Sequence, residues 1–168
     1  ISPEAPVPVL AVEREEFMLG GAANVAKCLV ALGAQARLCT VIGDDADGAI
    51  FRSEATNLGI AQAGILSDRE RLTTRKTRIV ARHQQVIRLD RETVAPLSAA
   101  LEKRLRARIA SAVRAADAVI LSDYAKGVLT PAVCRAVIAA AGSRPVLVDP
   151  KSLPWEPFRG ATVMKPNL

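Results

Sequence analysis

The chain has 168 residues, of which 23 are Lys or Arg and 17 are Asp or Glu, so its formal net charge is +6. Half of the residues are hydrophobic, which excludes an intrinsically disordered chain, because such chains lack the apolar surface that offsets chain entropy. No run approaches the ~18 consecutive apolar residues of a membrane span, and three cysteines without a C-x-x-C pair argue against a zinc site or a disulfide framework. These features predict a single soluble, cytoplasmic domain.

The first half of the chain predicts helices and strands in alternation. Residues 7–12 form a short β-like run, which the flanking prolines confine to a sheet edge or a strand start. Two apolar patterns of helical period each end at a glycine, Gly33 or Gly59, which is the usual residue just after a helix. The predicted helices cover 22–32 and 46–58, the predicted strands 36–42 and 60–66, and a predicted β-hairpin 73–81 and 84–90.

The second half continues the alternation. An amphipathic helix is predicted over 97–115, and Thr130-Pro131 predicts the start of another helix that ends at Gly142. Continuous apolar runs at 118–121, 145–148 and 161–164 are typical of strands buried on both faces. The predicted fold class is therefore α/β, a mostly parallel sheet with helices on both faces, and the hairpin is an accessory element outside that sheet.

The amphipathic helix carries most of the positive charge. It holds five basic residues and one acidic residue, so it supplies four of the six net charges: Lys103, Arg104, Arg106, Arg108 and Arg114 against Glu102. A stripe of this kind fits either a solvated helix face or a nucleic-acid surface. The chain lacks the interleaved aromatic residues of a single-strand platform, so we interpret the stripe as solvated and expect no nucleic-acid partner.

Polar residues follow four of the predicted strands. In open α/β sheets ligands bind beyond the carboxyl ends of the strands. A mixture of Asp and Lys there suits a phosphorylated ligand with a divalent cation, and helix capping or a solvated loop is the alternative for each group. The four groups are Gly43-Asp44, Ser122-Asp123, Asp149-Pro150-Lys151 and Lys165-Pro166-Asn167.

The segment Gly20-Gly21-Ala22-Ala23-Asn24 opens the first predicted helix. Two glycines allow a ligand to approach the backbone closely, and the free N–H groups of a helix start attract anions or sugar hydroxyls. Asn24 can donate and accept hydrogen bonds, which suits a polyol. The spacing does not match a dinucleotide-binding motif, and a plain helix start remains the alternative.

This glycine segment, followed by Gly33 and Gly43, resembles the first signature of the ribokinase-like (phosphofructokinase-B type) carbohydrate kinases. Nearly the whole chain is similar to one subgroup, the D-glycero-β-D-manno-heptose-7-phosphate kinases, which in many bacteria form the N-terminal half of a bifunctional heptose kinase/adenylyltransferase. The stretches that carry this similarity are residues 1–9, RIVARHQQVIRLD (78–90), LSDYAKG (121–127), VDPK (148–151) and RGATVMKPNL (159–168).

The resemblance implies transfer of the γ-phosphate of ATP, with Mg²⁺, to O1 of heptose 7-phosphate, in the synthesis of ADP-heptose for the lipopolysaccharide core. It implies sugar contacts at Gly20, Gly21 and Asn24, and a loop bordering the sugar and its phosphates at Asp123 and Lys126. Lys151 matches a lysine that fits a phosphate contact. Lys165 and Asn167 are predicted on the cofactor side, since Asn167 matches the start of an Asn-x-x-Glu motif that serves metal and nucleotide phosphate. The resemblance does not identify the metal ligands.

The family's catalytic base is the Asp of a Gly-Ala-Gly-Asp motif, and no such motif occurs in the 168 residues. We therefore expect residues 1–168 to be the N-terminal portion of a kinase domain, without the catalytic base, and to be inactive alone. The family also implies a β-lid, formed by about 7–12 and 73–90, that covers the sugar and builds a homodimer. Alternatives are another ribokinase-like sugar or nucleoside kinase, and a non-catalytic sugar-phosphate-binding or dimerisation module.

The predicted hairpin carries basic residues at alternating positions. Lys76, Arg78 and Arg82 are predicted to share one face, which would meet the 7-phosphate as a basic lid, with a solvated face as the alternative. His83 is predicted at the hairpin tip. Asp44 and Asp45 are predicted to cap the next helix, and Cys28 and Cys134 to be small core residues.

Overall fold

The computed structural model describes residues 4–5, 9–151 and 154–166. The helices are α1 (Gly21–Ala31), α2 (Ala46–Asn57), α3 (Ala99–Arg114) and α4 (Pro131–Ala141), and a 3₁₀ turn covers Glu156–Phe158. The strands are β1 (Arg37–Gly43), β2 (Ala61–Asp68), β3 (Arg75–Ala81), β4 (Gln84–Arg91), β5 (Val119–Ser122), β6 (Val146–Asp149) and β7 (Val163–Met164).

The strands form two parallel sheets and one antiparallel hairpin. β1 pairs with β2, and β5, β6 and β7 pair in that order, all in parallel. β3 and β4 pair only with each other among the described strands, so the hairpin lies outside both parallel sheets, as predicted. The α/β class and the parallel pairing are confirmed, with the parallel strands divided between two hydrogen-bonded sheets.

Helices cover both faces of the β1–β2 sheet. Leu38 and Ile42 of β1 point to a core that includes Ala23 and Ala26 of α1 and Ala55 of α2. Val41 points the other way, into a larger core. Because successive strand residues alternate between faces, the apolar run of β1 serves both cores at once.

Helix α3 is the main cover of the larger core. Its residues at intervals of four are buried, and they share a cluster with Leu121 of β5 and Val148 of β6: Leu101, Leu105, Ile109 and Val113. Its five basic residues are all exposed, on the side of the helix away from the core.

The predicted helix ends are confirmed within a residue or two. Gly33 and Gly59 have φ of 86° and 68°, the left-handed conformation that ends a helix at low cost only for glycine. The Asp45 side chain accepts from the N–H of Gly48, and that of Thr130 from the N–H of Val133, so both are N-caps.

Two predictions about strand formation and burial are wrong. No strand forms over the described part of 7–12: residues 9–12 are irregular, and Val9 and Val12 are 64% and 81% exposed. The flanking prolines lack the N–H that a ladder needs, and no sheet edge in the described chain pairs with this segment. Cys28 is exposed on α1 rather than buried, whereas Cys134 is buried as predicted.

Among the residues that the structure describes, no helix is both long enough and apolar enough to cross a membrane.

Candidate functional site: a cleft beyond strands β5 and β6

A small cleft of about 130 Å³ opens where β5 and β6 end, and we call it the cleft. Its lining residues are Asp123, Tyr124, Asp149, Pro150 and Lys151. The two strands run in register here: Ser122 lies opposite Asp149, and the Asp123 N–H donates to the Asp149 carbonyl at 2.9 Å. Parallel pairing therefore brings the polar residues that follow two separate strands to one place, as the sequence predicts.

Backbone N–H groups fix the carboxylate of Asp123. One oxygen, Oδ1, accepts from the N–H of Ala125 at 2.8 Å, and Oδ2 accepts from the N–H of Lys151 at 3.3 Å. The post-β5 loop (residues 123–127) is tightly wound, since Ala125 and Gly127 have φ of 53° and 75°. A carboxylate held in this way presents a fixed acceptor to a ligand hydroxyl.

The glycine segment and the cleft lie together through Tyr124. A methyl group placed on Gly21, where φ is 55°, would lie 3.6 Å from the Tyr124 ring, so the ring packs against the start of α1. Gly20 is the N-cap and has no side-chain cap, and Asn24 is exposed on the first turn. The contact between Gly21 and Tyr124 thus places the start of α1, where Gly20 and Asn24 also lie, next to the loop that carries Asp123.

Lys126 is held by the segment that follows the hairpin. Its Nζ lies 2.7 Å from Oε1 of Glu92, and Glu92 also pairs with Lys76 at 3.3 Å. Lys76 in turn lies 2.6 Å from Asp90. The hydrogen bond from Lys126 lowers the pKa of Glu92 most, and burial opposes it. The hydrogen bond to Asp90 raises the pKa of Lys76 most. Both shifts favour the charged forms, the carboxylate of Glu92 and the ammonium of Lys76.

The hairpin has one charged face and one apolar face. Lys76 pairs across with Asp90 and Arg78 with Arg88 on one face, which we call the charged face. Lys76 also binds Glu92, which in turn binds Lys126. Thr77 and Ile79 pair with Leu89 and Ile87 on the opposite face. Arg88 binds Asp90 at 2.9 Å, whereas the exposed Arg78 has no ion-pair partner in the described part of the chain.

The prediction for Arg82 is wrong in one respect. β3 ends at Ala81, and Arg82 and His83 form the two-residue turn, with φ of 49° and 67°. Arg82 therefore lies in the tip rather than on the charged face with Lys76 and Arg78. His83 lies at the tip, as predicted. The alternation of basic residues in the sequence continues past the end of β3, so the pattern alone does not show where the turn begins.

The remaining predicted site residues lie at different distances from the cleft. Lys151 lines it. Lys165 is exposed just after β7, and its N–H donates to the carbonyl of Val148 at 2.9 Å, which places it one strand farther along the same edge. Asn167 lies outside the described residues. Asp44 pairs with Arg69 at 3.2 Å and is not a lining residue of the cleft.

An anchor at the base of the hairpin has no counterpart in the sequence analysis. Asp45 accepts from the N–H of Thr73 at 3.0 Å, and buried Asp47 pairs with Arg75 at 3.0 Å and Arg91 at 3.2 Å. Burial raises the pKa of Asp45, but hydrogen bonds from Thr73 and Gly48 together with Arg91 outweigh it, so the net direction is down. The acid-rich start of α2 beside two arginines of the hairpin was the available signal.

Two polar atoms at the cleft lack partners. Ser122 Oγ and Asp149 Oδ1 are buried and have no hydrogen-bond partner among the residues that the structure describes. The described residues contain no group of three or more His, Cys, Asp or Glu that could hold a metal alone. Mg²⁺ needs only one or two protein carboxylates when phosphate oxygens and water complete its shell. Asp149 therefore fits a shared cation.

Comparison with known proteins identifies the relatives of this chain. The model of the pfkB family carbohydrate kinases matches residues 2–168. The "Bifunctional protein HldE" of Pelobacter propionicus is 50% identical over 169 residues, covering 99% of this chain and 35% of that protein. The protein of the same name from Geotalea uraniireducens is 46% identical, with 99% and 34% covered. The chain thus spans about a third of the length of these curated relatives.

Solved structures show the fold. The tetrameric inhibited form of phosphofructokinase-2 from Escherichia coli superposes with a TM-score of 0.71 at 16% identity, covering 96% of this chain and 54% of that one. The ribokinase of Arabidopsis thaliana, solved with ribose and ATP, gives 0.63 at 15% identity, with 94% and 52% covered. The architecture of the chain is ribokinase-like. With its family match over nearly all residues, the chain belongs to the pfkB family of carbohydrate kinases.

Proposed function

We propose that this chain carries the sugar-phosphate side of a kinase that transfers the γ-phosphate of ATP to O1 of D-glycero-β-D-manno-heptose 7-phosphate. The observation that carries the proposal is the convergence at one sheet edge of an oriented carboxylate, Asp123, with the lysines Lys126 and Lys151 and the glycine start of α1. The identity of about half to proteins named HldE supports the heptose subgroup.

The cleft and the residues around it suit different parts of a sugar phosphate. The Asp123 carboxylate, held by two backbone N–H groups, can accept from a sugar hydroxyl. Gly20 and Gly21 let a ring approach the start of α1, and Asn24 can bind a second hydroxyl. Lys126 and Lys151 supply positive charge for phosphate oxygens. The Tyr124 ring, packed on Gly21, closes one side of this space.

The charged face of the hairpin supports a lid over the distal phosphate. Arg78 is exposed and stands opposite Arg88, and like charges facing each other across a ladder are unfavourable unless an anion lies between them. Asp90 neutralises Arg88, which leaves Arg78 as the guanidinium open to a phosphate. Arg82, at the tip, would reach that phosphate from the turn.

The cofactor side of the proposal rests on fewer described residues. Asp149 would share a Mg²⁺ ion with nucleotide phosphates, and Lys165 and Asn167 would lie on the nucleotide side. When bound, Mg²⁺-ATP supplies the phosphoryl group and spreads its negative charge. The ribokinase that was solved with ribose and ATP shares this fold, which supports the use of ATP.

A base must take the proton from O1 as the new O–P bond forms and the bond to the β-phosphate breaks. Asp123 is engaged by two N–H groups, and the Gly-Ala-Gly-Asp motif that carries the family's base does not occur in the sequence. We therefore propose that the 168 residues bind the sugar phosphate without turning it over.

Coupled measurement of ADP release tests this function. The full-length gene product should act on heptose 7-phosphate and much less on fructose 6-phosphate or ribose, and the 168-residue chain should release no ADP. Lys126→Met and Arg78→Ala should raise the KM for the sugar phosphate. Lys103→Met and Arg104→Ala, on the exposed face of α3, serve as matched controls. Equal activity on all sugars would contradict the heptose assignment, and saturable binding without turnover by the full-length protein would favour a binding module.

The apolar face of the hairpin supports a homodimer through the lid. Ile87 and Leu89 are 46% and 52% exposed on that face. Exposed apolar patches of this kind mark interaction surfaces. A kinase that draws on ATP and a sugar phosphate would act in the cytoplasm. Light scattering should give twice the protomer mass, and Ile87→Lys should halve it; an unchanged mass in that variant would remove the hairpin from the interface.

A further inference from the structure

Arg71 is a buried guanidinium at the meeting point of three segments. The residue is 7% exposed and lies between β2 and β3. Its Nη1 donates to the carbonyls of Thr93 and Lys126, at 2.9 and 3.0 Å, and its Nη2 donates to the carbonyl of Ala95. One side chain therefore binds the segment after the hairpin and the post-β5 loop at the same time.

The same two segments also touch directly. Gly127 packs so closely on the carbonyl of Ala95 that a methyl group there would overlap it. The side chains of Glu92 and Lys126 pair at 2.7 Å. On the other side, the N–H of Leu72 donates to the Thr93 hydroxyl at 3.0 Å. Arg71 thus closes a junction in which the position of Lys126 depends on the position of the hairpin base.

We propose that Arg71 is a positioning residue for sugar-phosphate binding: it fixes the post-β5 loop against the base of the hairpin and so sets where the Lys126 ammonium stands. This inference rests on the proposed function for its kinetic consequence. We do not expect Arg71 to bind a ligand itself, because both of its Nη atoms donate to main-chain carbonyls and the residue, including its unpartnered Nε, is buried.

Arginine is suited to this task and lysine is not. A guanidinium presents five donors in a planar fork, so it can serve three carbonyls on two segments, whereas an ammonium is a compact point charge that cannot span them. Removing the guanidinium leaves three carbonyls without their hydrogen-bond donor. The loop can then shift, and a displacement of a binding group by about 1 Å can lower the reaction rate by up to about 100-fold. The loss should act on substrate binding through the loop.

A matched control exists elsewhere in the chain. Arg144 also donates to three main-chain carbonyls, those of Ala116, Arg114 and Ala141, at 2.8, 3.1 and 3.4 Å. These carbonyls lie at the ends of α3 and α4, not at the cleft. Arg144→Met therefore removes the same chemistry from a purely structural place.

The test compares Arg71→Met, Arg71→Lys and Arg144→Met in the full-length gene product. Both Arg71 variants should raise the KM for heptose 7-phosphate by about tenfold, the effect of a misplaced binding group, with a smaller change in kcat. Arg144→Met should lower the thermal stability about as much as the Arg71 variants do, but it should leave the KM for heptose 7-phosphate unchanged. A KM shift no larger in the Arg71 variants than in Arg144→Met would overturn the proposal, and Arg71→Lys keeps the test open if Arg71→Met fails to fold.

Lys126→Met provides the second arm. If Arg71 acts through Lys126, adding Arg71→Met to Lys126→Met should change KM little further, because the group that Arg71 positions is gone. If the increases in KM of the two single variants multiply in the double variant, the proposal is overturned.

Hydrogen exchange separates this inference from the proposed function, since it needs no substrate. Amides of residues 123–127 should exchange faster in Arg71→Met than in Arg144→Met. If the wild-type full-length gene product turns over no sugar phosphate, the proposed function fails. Faster exchange at these amides then still supports the positioning role, and equal exchange overturns it.

Discussion

Oε1 of Glu92 lies 2.7 Å from Nζ of Lys126, although the two residues are 34 positions apart in the sequence. This pair ties the end of the hairpin to the loop beside the cleft. Lys126, which we propose binds the phosphate of the substrate, is thus already paired with the carboxylate of Glu92. A bound phosphate would therefore compete with Glu92 for the ammonium group of Lys126.

The first prediction concerns the pH dependence of stability. Lys126, and then Lys76, hold the pKa of Glu92 below its ordinary value of 4.5, against burial. A carboxyl whose folded pKa is depressed contributes stability that is present above the unfolded pKa and lost as pH falls through the folded one. Urea midpoints measured from pH 7 down to pH 3 should fall, and Glu92→Gln should make that fall shallower. An identical slope in Glu92→Gln would show that the pair contributes nothing.

The second prediction separates backbone strain from steric overlap. Gly33 and Gly127 both have positive φ, 86° and 75°, but an added methyl group meets nothing within 4 Å at Gly33 and overlaps the Ala95 carbonyl at Gly127. Gly33→Ala should cost about 1 kcal/mol, the cost of a left-handed alanine. Gly127→Ala should cost clearly more in denaturant titration. Equal losses would mean that the loop moves away freely from Ala95.

The third prediction concerns the hairpin turn. Arg82 and His83 both adopt positive φ, as a type I′ turn requires, and glycine or asparagine is favoured there. His83→Gly should therefore stabilise the protein by up to about 1 kcal/mol by relieving strain. His83→Ala keeps the β-carbon and is the control, which should show no gain. A gain of the same size in His83→Ala would trace the effect to the imidazole instead.

The fourth prediction concerns thiol reactivity. Burial, followed by the charge of Asp123, raises the pKa of the Cys134 thiol to about 11, and burial raises the pKa of Cys39 as well. Because the thiolate is the reactive form, the exposed Cys28 should react first with a disulfide reagent in the native protein. Cys28→Ser should remove the fast phase, and Cys134→Ser should leave it. A fast phase that survives Cys28→Ser would mean that the core opens readily.

Local chemistry explains which parts of the fold the sequence predicts. Thr130-Pro131 starts α4, and glycines follow α1 and α2 as expected, because capping depends on a few neighbouring atoms. The apolar runs of β5 and β6 mark buried strands, and parallel pairing then brings Asp123 and Lys151 together. These features need no knowledge of distant contacts.

The features that the sequence does not predict depend on distant partners. Arg71 contacts residues 22 to 55 positions away, and nothing in its neighbourhood distinguishes it from a surface arginine. The run at residues 9–12 has strand-like composition but no edge to pair with in the described chain. Arg82 fits the alternation of the strand, yet the tight turn begins there.

The placement of α3 has a consequence for how the protein unfolds. Its buried residues pack with Val41 of β1 and Leu66 of β2, and in the same cluster with Leu121 of β5 and Val148 of β6. If α3 separated from one parallel sheet, the apolar face of the other sheet would be exposed as well. The two sheets therefore form one cooperative unit, and amides in β1 and β6 should lose their protection from exchange in a single global opening rather than in two separate steps.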